Sequence, residues 1–285
     1  MIQSAVAGLV SGGAYAALGV CVVVMYRVVG VLNFAQAGIG AFGAFVTFLA
    51  HGRGLPYVPA LFAGALAGAA VAAAAGAVMA IWFAEASPQV RSTVSIAMLI
   101  AILATGFRLF GDSPRALPEL FPGVTIVLGG VVVTMAGLAS ILGALTVAVL
   151  VTAFLRRTRT GVLLRALSER PTTAELLGVP ARPLAVGVWA VGGAISAAAV
   201  VLIAPSRSAD FLTLSLLIIP ALAAALIGLA RGLGAAVAGG VSIGVLEGLA
   251  TNFSQISQYR QSLSFVVIMV VLLWGERHEV WDAAR

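Results

Sequence analysis

Few side chains in this sequence have the chemistry to bind or transform anything while lying inside apolar sequence. Glu247 is the one ionisable residue within a long apolar run, and burying a carboxylate in hydrocarbon costs enough that such residues default to a functional reading. A carboxylate there suits proton or sodium coupling, yet ion-coupled carriers gather several such groups around a broken helix. The equal alternative is an interface residue bonded to a neighbouring backbone or to water. Asn33 and Gln36, in GVLNFAQAGIGAFGAF, are amides at the junction of two apolar runs. Amides so placed serve as helix caps or interhelical hydrogen bonds more often than as a substrate site. Asn33 fits an N-cap, its side-chain oxygen accepting from a free backbone N–H of the next helix.

Catalytic constellations are missing. His51 sits in a turn and His278 in a polar tail, neither with a partner at metal-ligand spacing. No Gly-x-Ser-x-Gly elbow, His-Glu-x-x-His helix or phosphate-binding Gly-Lys loop occurs. These patterns predict no enzymatic activity, no metal and no cofactor. Cys21 is the single cysteine, so no intrachain disulfide forms.

What must position the few polar groups is a set of membrane helices. Across 285 residues the sequence is 61% hydrophobic and 9% charged, with a mean hydropathy of +1.13. Soluble domains are nearer half apolar and a quarter charged. Only helices and closed barrels span a bilayer, and the short alternating strands of a barrel do not occur here. The expected fold is an all-α polytopic membrane protein, a single transmembrane domain over 1–285 with eight to nine spans.

Nine apolar segments can be drawn, at 4–26, 34–50, 60–83, 94–107, 134–155, 184–204, 212–229, 234–252 and 263–274. Between the fourth and fifth, residues 121–133 read as strand-like or re-entrant, and an eight-span arrangement with one re-entrant piece is the alternative. EASPQVRST (85–93) reads as a polar connection and GERHEVWDAAR as a polar tail. No charge precedes the first run and Arg27 follows it, which predicts an uncleaved helix with its N-terminus outside. Alternation then puts Arg27, Arg91, Arg156, Arg157, Arg159, Arg165, Arg170, Arg182, Arg231, Arg277 and Arg285 inside. Arg53, Arg108, Arg115, Arg207 and Arg260 fall outside. That excess agrees with the positive-inside rule, so the net charge of +6 reports orientation and not nucleic-acid binding.

Two stripes of small residues recur every four positions: Gly64, Gly68, Ala72, Gly76 and Ala80, and Ala236, Gly240, Gly244 and Gly248. In lipid such stripes let helices approach backbone to backbone. The longest polar stretch, Leu155 to Pro183, holds six of the sixteen Arg and reads as a cytoplasmic loop with a short helix over 171–177. Pro171 suits the first helical position, Gly178 the left-handed residue after its end, and Pro180 blocks continuation. Ala174 and Gly178, four apart, make one small-residue face on it.

The segment SGGAYAALGVCVVVMYRVVGVLNFAQAGIGAFGAF resembles the opening of the LivH-type permeases of branched-chain amino acid ABC importers. TRTGVLLRALSERPTTAELLGVPARPLAVGVWAVGGAISAAAVVLIAP is similar to their central loop and the helix after it, and GLARGLGAAVAGGVSIGVLEGL to their late Gly-rich segment. The resemblance implies a permease subunit in the bacterial inner membrane that translocates branched-chain amino acids or a related small polar solute inward. It implies as partners a second permease subunit, two ABC ATPase subunits, an extracytoplasmic solute-binding protein and membrane lipid, with no nucleic acid. ABC importers carry a Glu-Ala-Ala-x-x-x-Gly pattern in the loop that meets the ATPase. Thr172, Thr173, Ala174 and Gly178 occupy those places here, so the last Ala and the Gly match and the first two positions do not. The resemblance thus implies ATPase coupling through Arg165, Ala166, Thr172, Thr173, Ala174, Glu175 and Gly178. EASPQVRST, ARGLG and the GERHEVW ending also depart from the family, pointing to a divergent member. Without the resemblance, an ion-coupled secondary carrier and a structural membrane protein both stay open.

Overall fold

A computed structural model describes residues 1–111, 113, 119–128, 130–206, 210–255 and 257–282. Arg115, Arg207 and Arg285, placed above in loops and tail, lie outside the described residues. The elements in order are α1 (Ile2–Val29), α2 (Gln36–Gly52), α3 (Tyr57–Trp82), α4 (Pro88–Phe110), a hairpin of β1 (Thr125–Leu128) and β2 (Val131–Thr134), then α5 (Met135–Arg157) and α6 (Arg159–Glu169). They continue with α7 (Pro171–Leu176), α8 (Ala181–Ile203), α9 (Phe211–Ser215), α10 (Ile218–Arg231), α11 (Leu233–Ala250) and α12 (Leu263–Asp282).

Among the described residues, seven stretches are long and apolar enough to cross a membrane: α1, α3, α4, α5, α8 with its extension to Ser206, the α9–α10 pair over Phe211–Leu229, and α11. Helix α2 has 17 residues, and the apolar part of α12, Leu263–Leu273, is shorter still.

Helix α1 is apolar on every side, the pattern of a helix enclosed by others. Of its most apolar window 83% is buried, against 22% for α3 and 17% for α4 and α5, so α1 is central and those three are peripheral. Lipid is as apolar as leucine, so contacts here depend on close packing, which small residues permit. Along α11, a Cβ added at Gly240, Gly244 or Gly248 would strike the backbone of Ala16, of Gly12 and Gly8, or of Ser4 and Gly8. The order of those partners shows that α11 runs antiparallel to α1. The α3 stripe lies in a second such seam. Gly64 abuts Gly43 and Thr47 of α2, Gly68 would put a Cβ 2.8 Å from the Gly193 carbonyl oxygen of α8, and Gly76 would put one 2.6 Å from the Trp189 ring. On α3 the buried set continues from Gly76 to Met79, leaving Ala80 half-buried.

Helix ends sort onto two faces. Arg91, in the first turn of α4, donates to the Val29 carbonyl at the end of α1 and to the Phe83 and Ala84 carbonyls just past α3. Arg27 donates to the Gly228 and Leu229 carbonyls in the last turn of α10. Helices α6 and α7 and the start of α8 adjoin the same ends. On the opposite face, the Gln3 amide pairs with the Val132 backbone of the hairpin, and the Ser4 hydroxyl donates to Asn252 beyond α11. Arg53, Arg108 and Arg260 belong to that opposite face. Arg27, Arg91, Arg156, Arg157, Arg159, Arg165, Arg170 and Arg182 belong to the first, the basic face.

Several boundaries differ from the sequence reading. Helix α4 begins at Pro88, inside the stretch taken as a polar connection, because Ser87 caps it by accepting from Val90 N–H. Thr125–Leu128 and Val131–Thr134 pair as an antiparallel hairpin, with Thr125 opposite Thr134; this is the strand-like alternative. The single helix drawn over 212–229 is broken at Leu216–Leu217. Pro220 has no N–H for the Leu216 carbonyl, which accepts from Ile219 instead, and α10 starts afresh. Asp210 caps α9 through the Thr213 N–H at 2.7 Å. The tail read as polar from Gly275 continues α12 to Asp282.

Candidate functional site

The first polar cluster lies where α2 begins. Gly192 and Ser196 of α8, which meet this point, are eleven and more residues in from the start of α8 at Ala181. At 1.5 Å per residue that is about 16 Å from the basic face. Residues 30–35 therefore dip back into the helix layer, and α2 starts inside it. Gln36 Nε2 donates to the Gly192 carbonyl at 3.0 Å and to Ser196 Oγ at 2.6 Å, while Asn33 Nδ2 donates to Gln36 Oε1 at 2.7 Å. Ser95 Oγ accepts from Phe34 N–H at 3.1 Å and lies 2.9 Å from the Leu32 carbonyl. Asn33 is not the N-cap expected from its position. The cap is Ala35, and Asn33 Oδ1 accepts from Ala35 N–H two residues on, closing a tight side-chain turn before the helix. Asn33 and Gln36 are 0% and 1% exposed, so in this conformation both are committed to bonds within the chain.

The second cluster is Glu247 with Tyr15, whose hydroxyl donates to Glu247 Oε2 at 2.7 Å. Both are buried between α1 and α11, flanked by Gly244 and Gly248. The close backbone approach of the two helices leaves room there for little besides these side chains. Among the described residues no three His, Cys, Asp or Glu come together as a metal site.

The third arrangement stands on the basic face. Thr158 ends α5 and starts α6: its hydroxyl donates to the Phe154 carbonyl at 2.7 Å and accepts from Gly161 N–H at 3.0 Å. Gly161 packs against the Phe154 and Leu155 backbone, so the chain folds back tightly. Gly161, Leu164 and Leu167 form the buried side of α6. Sequence reasoning missed this helix, although Thr158 and the three-residue spacing of those positions signal it. Helix α7 ends in a paired motif: Gly178 at φ 85 donates to the Glu175 carbonyl at 2.9 Å and Val179 to the Ala174 carbonyl at 3.0 Å.

The side chains of α7 do not face as the small-residue reading required. Ala174 is buried, 4% exposed, whereas Leu176 and Leu177 are 84% and 81% exposed. Arg165, Ala166, Thr172, Thr173, Glu175 and Gly178 are exposed as well. The Ala174–Gly178 face is therefore half turned inward, and the leucines take the outward position. Behind α7 lies a cavity of about 860 Å³, bounded by Arg91, Glu85, Glu175, Thr172, Met79 and Trp189. Arg91 joins three carbonyls from two helix ends there, a role its place in a polar stretch did not reveal. Trp189 Nε1 is buried without a hydrogen-bond partner.

The family described as "Branched-chain amino acid transport system / permease component" matches residues 4–273. The chain belongs to this family. Among its relatives, the high-affinity branched-chain amino acid transport system permease protein BraD of Pseudomonas aeruginosa is 25% identical over 96% of this chain and 93% of its own length. The corresponding protein LivH of Escherichia coli K12 is 27% identical over 95% of this chain and 92% of its own length. The solved structure of PsaBC from Streptococcus pneumoniae in complex with Fab overlaps at a TM-score of 0.47 with 15% identity, over 95% of this chain and 89% of that one. That likeness is too distant to carry any detail. Family membership and the seven apolar helices make this a multi-pass protein of the inner membrane.

Proposed function

We propose that this permease-family chain is the membrane subunit of an ATP-driven importer of branched-chain amino acids or a related small polar solute. The observation that carries the reading is the α6–α7 segment, which stands on the arginine-rich face with Leu176 and Leu177 exposed at 84% and 81%. An arginine-rich face is cytoplasmic under the positive-inside rule, which puts the start of α1 outside, with α2 and α12 completing the crossings. Two adjacent leucines at the tip of a capped helix are half of a core that a cytoplasmic partner completes. That partner is an ATPase subunit, met by Leu176, Leu177 and the exposed Arg165, Ala166, Thr172, Thr173, Glu175 and Gly178, while buried Ala174 anchors α7 to the permease.

ATP-driven closure of two ATPases would press on α7 and so on α8, which follows it directly. The Gly68–Gly193 seam between α3 and α8 would pass that displacement on, and the Gly240–Gly248 stripe on α11 moves with α1. Such a displacement shifts the balance between outward- and inward-open states. A second permease subunit supplies the other wall of the pathway, and a solute-binding protein delivers cargo at the opposite face. The double variant Leu176→Asp/Leu177→Asp tests this. At ~1.5–3 kcal/mol per buried leucine, docking weakens by about 100-fold or more, so ATPase co-purification and uptake are both lost while insertion persists. Unchanged co-purification and uptake would sink the assignment. An ion-coupled carrier rests on Glu247 alone, and uptake that survives collapse of the ion gradients while ATP is maintained rules it out.

A further inference from the structure

Between α1, α5, α6 and α8 lies a second cavity, of about 230 Å³, that the transport reading does not use. Its walls are apolar: Val24 and Val28 of α1, Phe154 of α5, and Leu184, Val188 and Val191 of α8. Along α8 it extends from Pro183 to Ile195, about 18 Å at 1.5 Å per residue. Half the hydrocarbon thickness of a bilayer is about 15 Å, so the crevice reaches from the basic face to the midplane, the depth of one leaflet. Phe154 and Val191 on its walls are exposed, at 43% and 58%. At its shallow end, four arginines adjoin lining residues in sequence. Arg156 and Arg157 follow the lining residue Leu155, Arg159 precedes Thr160, and Arg182 precedes Pro183. All four arginines are exposed. An apolar slot one leaflet deep, with exposed arginines on the residues next to its interfacial end, complements an acyl chain attached to a phosphate.

We propose that this crevice is a specific site for one anionic phospholipid of the basic-face leaflet, its acyl chain along α8 and its phosphate among Arg156, Arg157, Arg159 and Arg182. The inference needs only that the chain is a membrane protein and stands apart from the identity of the cargo. The bound lipid braces the end of α5 against the start of α8, the two helices between which α6 and α7 are suspended.

Gly187 provides the test, because it lines the crevice and a Cβ added there meets nothing within 4 Å. Gly187→Leu fills the slot without striking a neighbour's backbone, and Gly187→Ala leaves it open. The full chain, purified with the subunits it assembles with, is stripped of lipid in detergent and titrated with phosphatidylglycerol or phosphatidylcholine. Native mass spectrometry counts bound lipids, and thermal unfolding of the same samples certifies the fold. Wild type and Gly187→Ala are expected to hold one phosphatidylglycerol at least tenfold more tightly than phosphatidylcholine. Gly187→Leu loses that lipid, and Arg156→Gln/Arg157→Gln/Arg182→Gln loses the preference between the two. Equal binding of both lipids by wild type overturns the proposal, as does retention by Gly187→Leu. If Gly187→Leu expels a protein subunit with the lipid count unchanged, the crevice is a subunit interface and the lipid site does not exist. Should Gly187→Leu not fold, the arginine variant alone decides.

Discussion

Gly244→Ala adds one methyl group where α11 meets α1, and the surroundings leave it nowhere to go. The new Cβ would stand 2.5 Å from the Gly8 carbonyl oxygen and closer still to the backbone of Gly12, against an ordinary contact of 3.4–4 Å. Backbone atoms on a packed helix cannot swing aside as a side-chain tip does, so α11 must retreat by roughly 1 Å. Overpacking of this kind costs ~1–3 kcal/mol. The same retreat stretches the 2.7 Å Tyr15–Glu247 bond beyond bonding distance, adding ~1–2 kcal/mol for a lost buried hydrogen bond. The expected total is ~2–5 kcal/mol. The assay is reversible unfolding of the purified chain in mixed micelles with increasing denaturing detergent, read by intrinsic fluorescence. Gly143→Ala on α5 is the control, since a Cβ there meets nothing within 4 Å and alanine gains up to ~1 kcal/mol of helix propensity. If Gly244→Ala unfolds with wild type, or the control loses as much, the backbone-to-backbone packing of α1 on α11 is wrong.

Two further substitutions probe the buried polar groups. Glu247→Gln keeps an acceptor for the Tyr15 hydroxyl and is expected to stay within ~1 kcal/mol of wild type with uptake intact, whereas Glu247→Ala costs ~1–3 kcal/mol. Uptake lost in the glutamine variant at unchanged stability would favour ion coupling instead. Gln36→Leu preserves bulk but strands Asn33 Nδ2 and removes the α2 links to Gly192 and Ser196, for an expected loss of ~1–3 kcal/mol, measured by thermal unfolding. A variant as stable as wild type would show that the amide cluster does not hold α2 in place.

Spans were legible because length and hydropathy decide them, and 4–26, 60–83 and 234–252 reappear as α1, α3 and α11 within a few residues. Both glycine stripes could be seen as stripes, but not their partners, since a period of four says which residues share a face and nothing about which helix it meets. The breaks were harder. Pro220 sits in a run apolar enough to pass for one helix, and the restart at Ile218 follows from a single missing N–H. Helix α6 hid among arginines because its apolar side is only Gly161, Leu164 and Leu167. At α7, sequence supplied the ends, Pro171 and Gly178, while the facing of Ala174 depends on what lies beneath it. Arg91 looked like a topological charge; its contacts depend on α1 and α3 ending at the same level.

The dip of residues 30–35 into the helix layer bears on the order in which the chain is made. Phe34 N–H is met by Ser95, 61 residues later, and Gln36 by Gly192 and Ser196, 156 and 160 residues later. On a ribosome feeding a membrane, α1 and α2 emerge long before α8 exists. Until then the Gln36 amide nitrogen at the start of α2 has no acceptor in hydrocarbon, where an unmet polar group costs several kcal/mol. The start of α2 is thus expected to settle in its final place only when α8 arrives. A chain that stops short of Gly192 carries its own mark of incompleteness, a Gln36 amide nitrogen without its α8 acceptors.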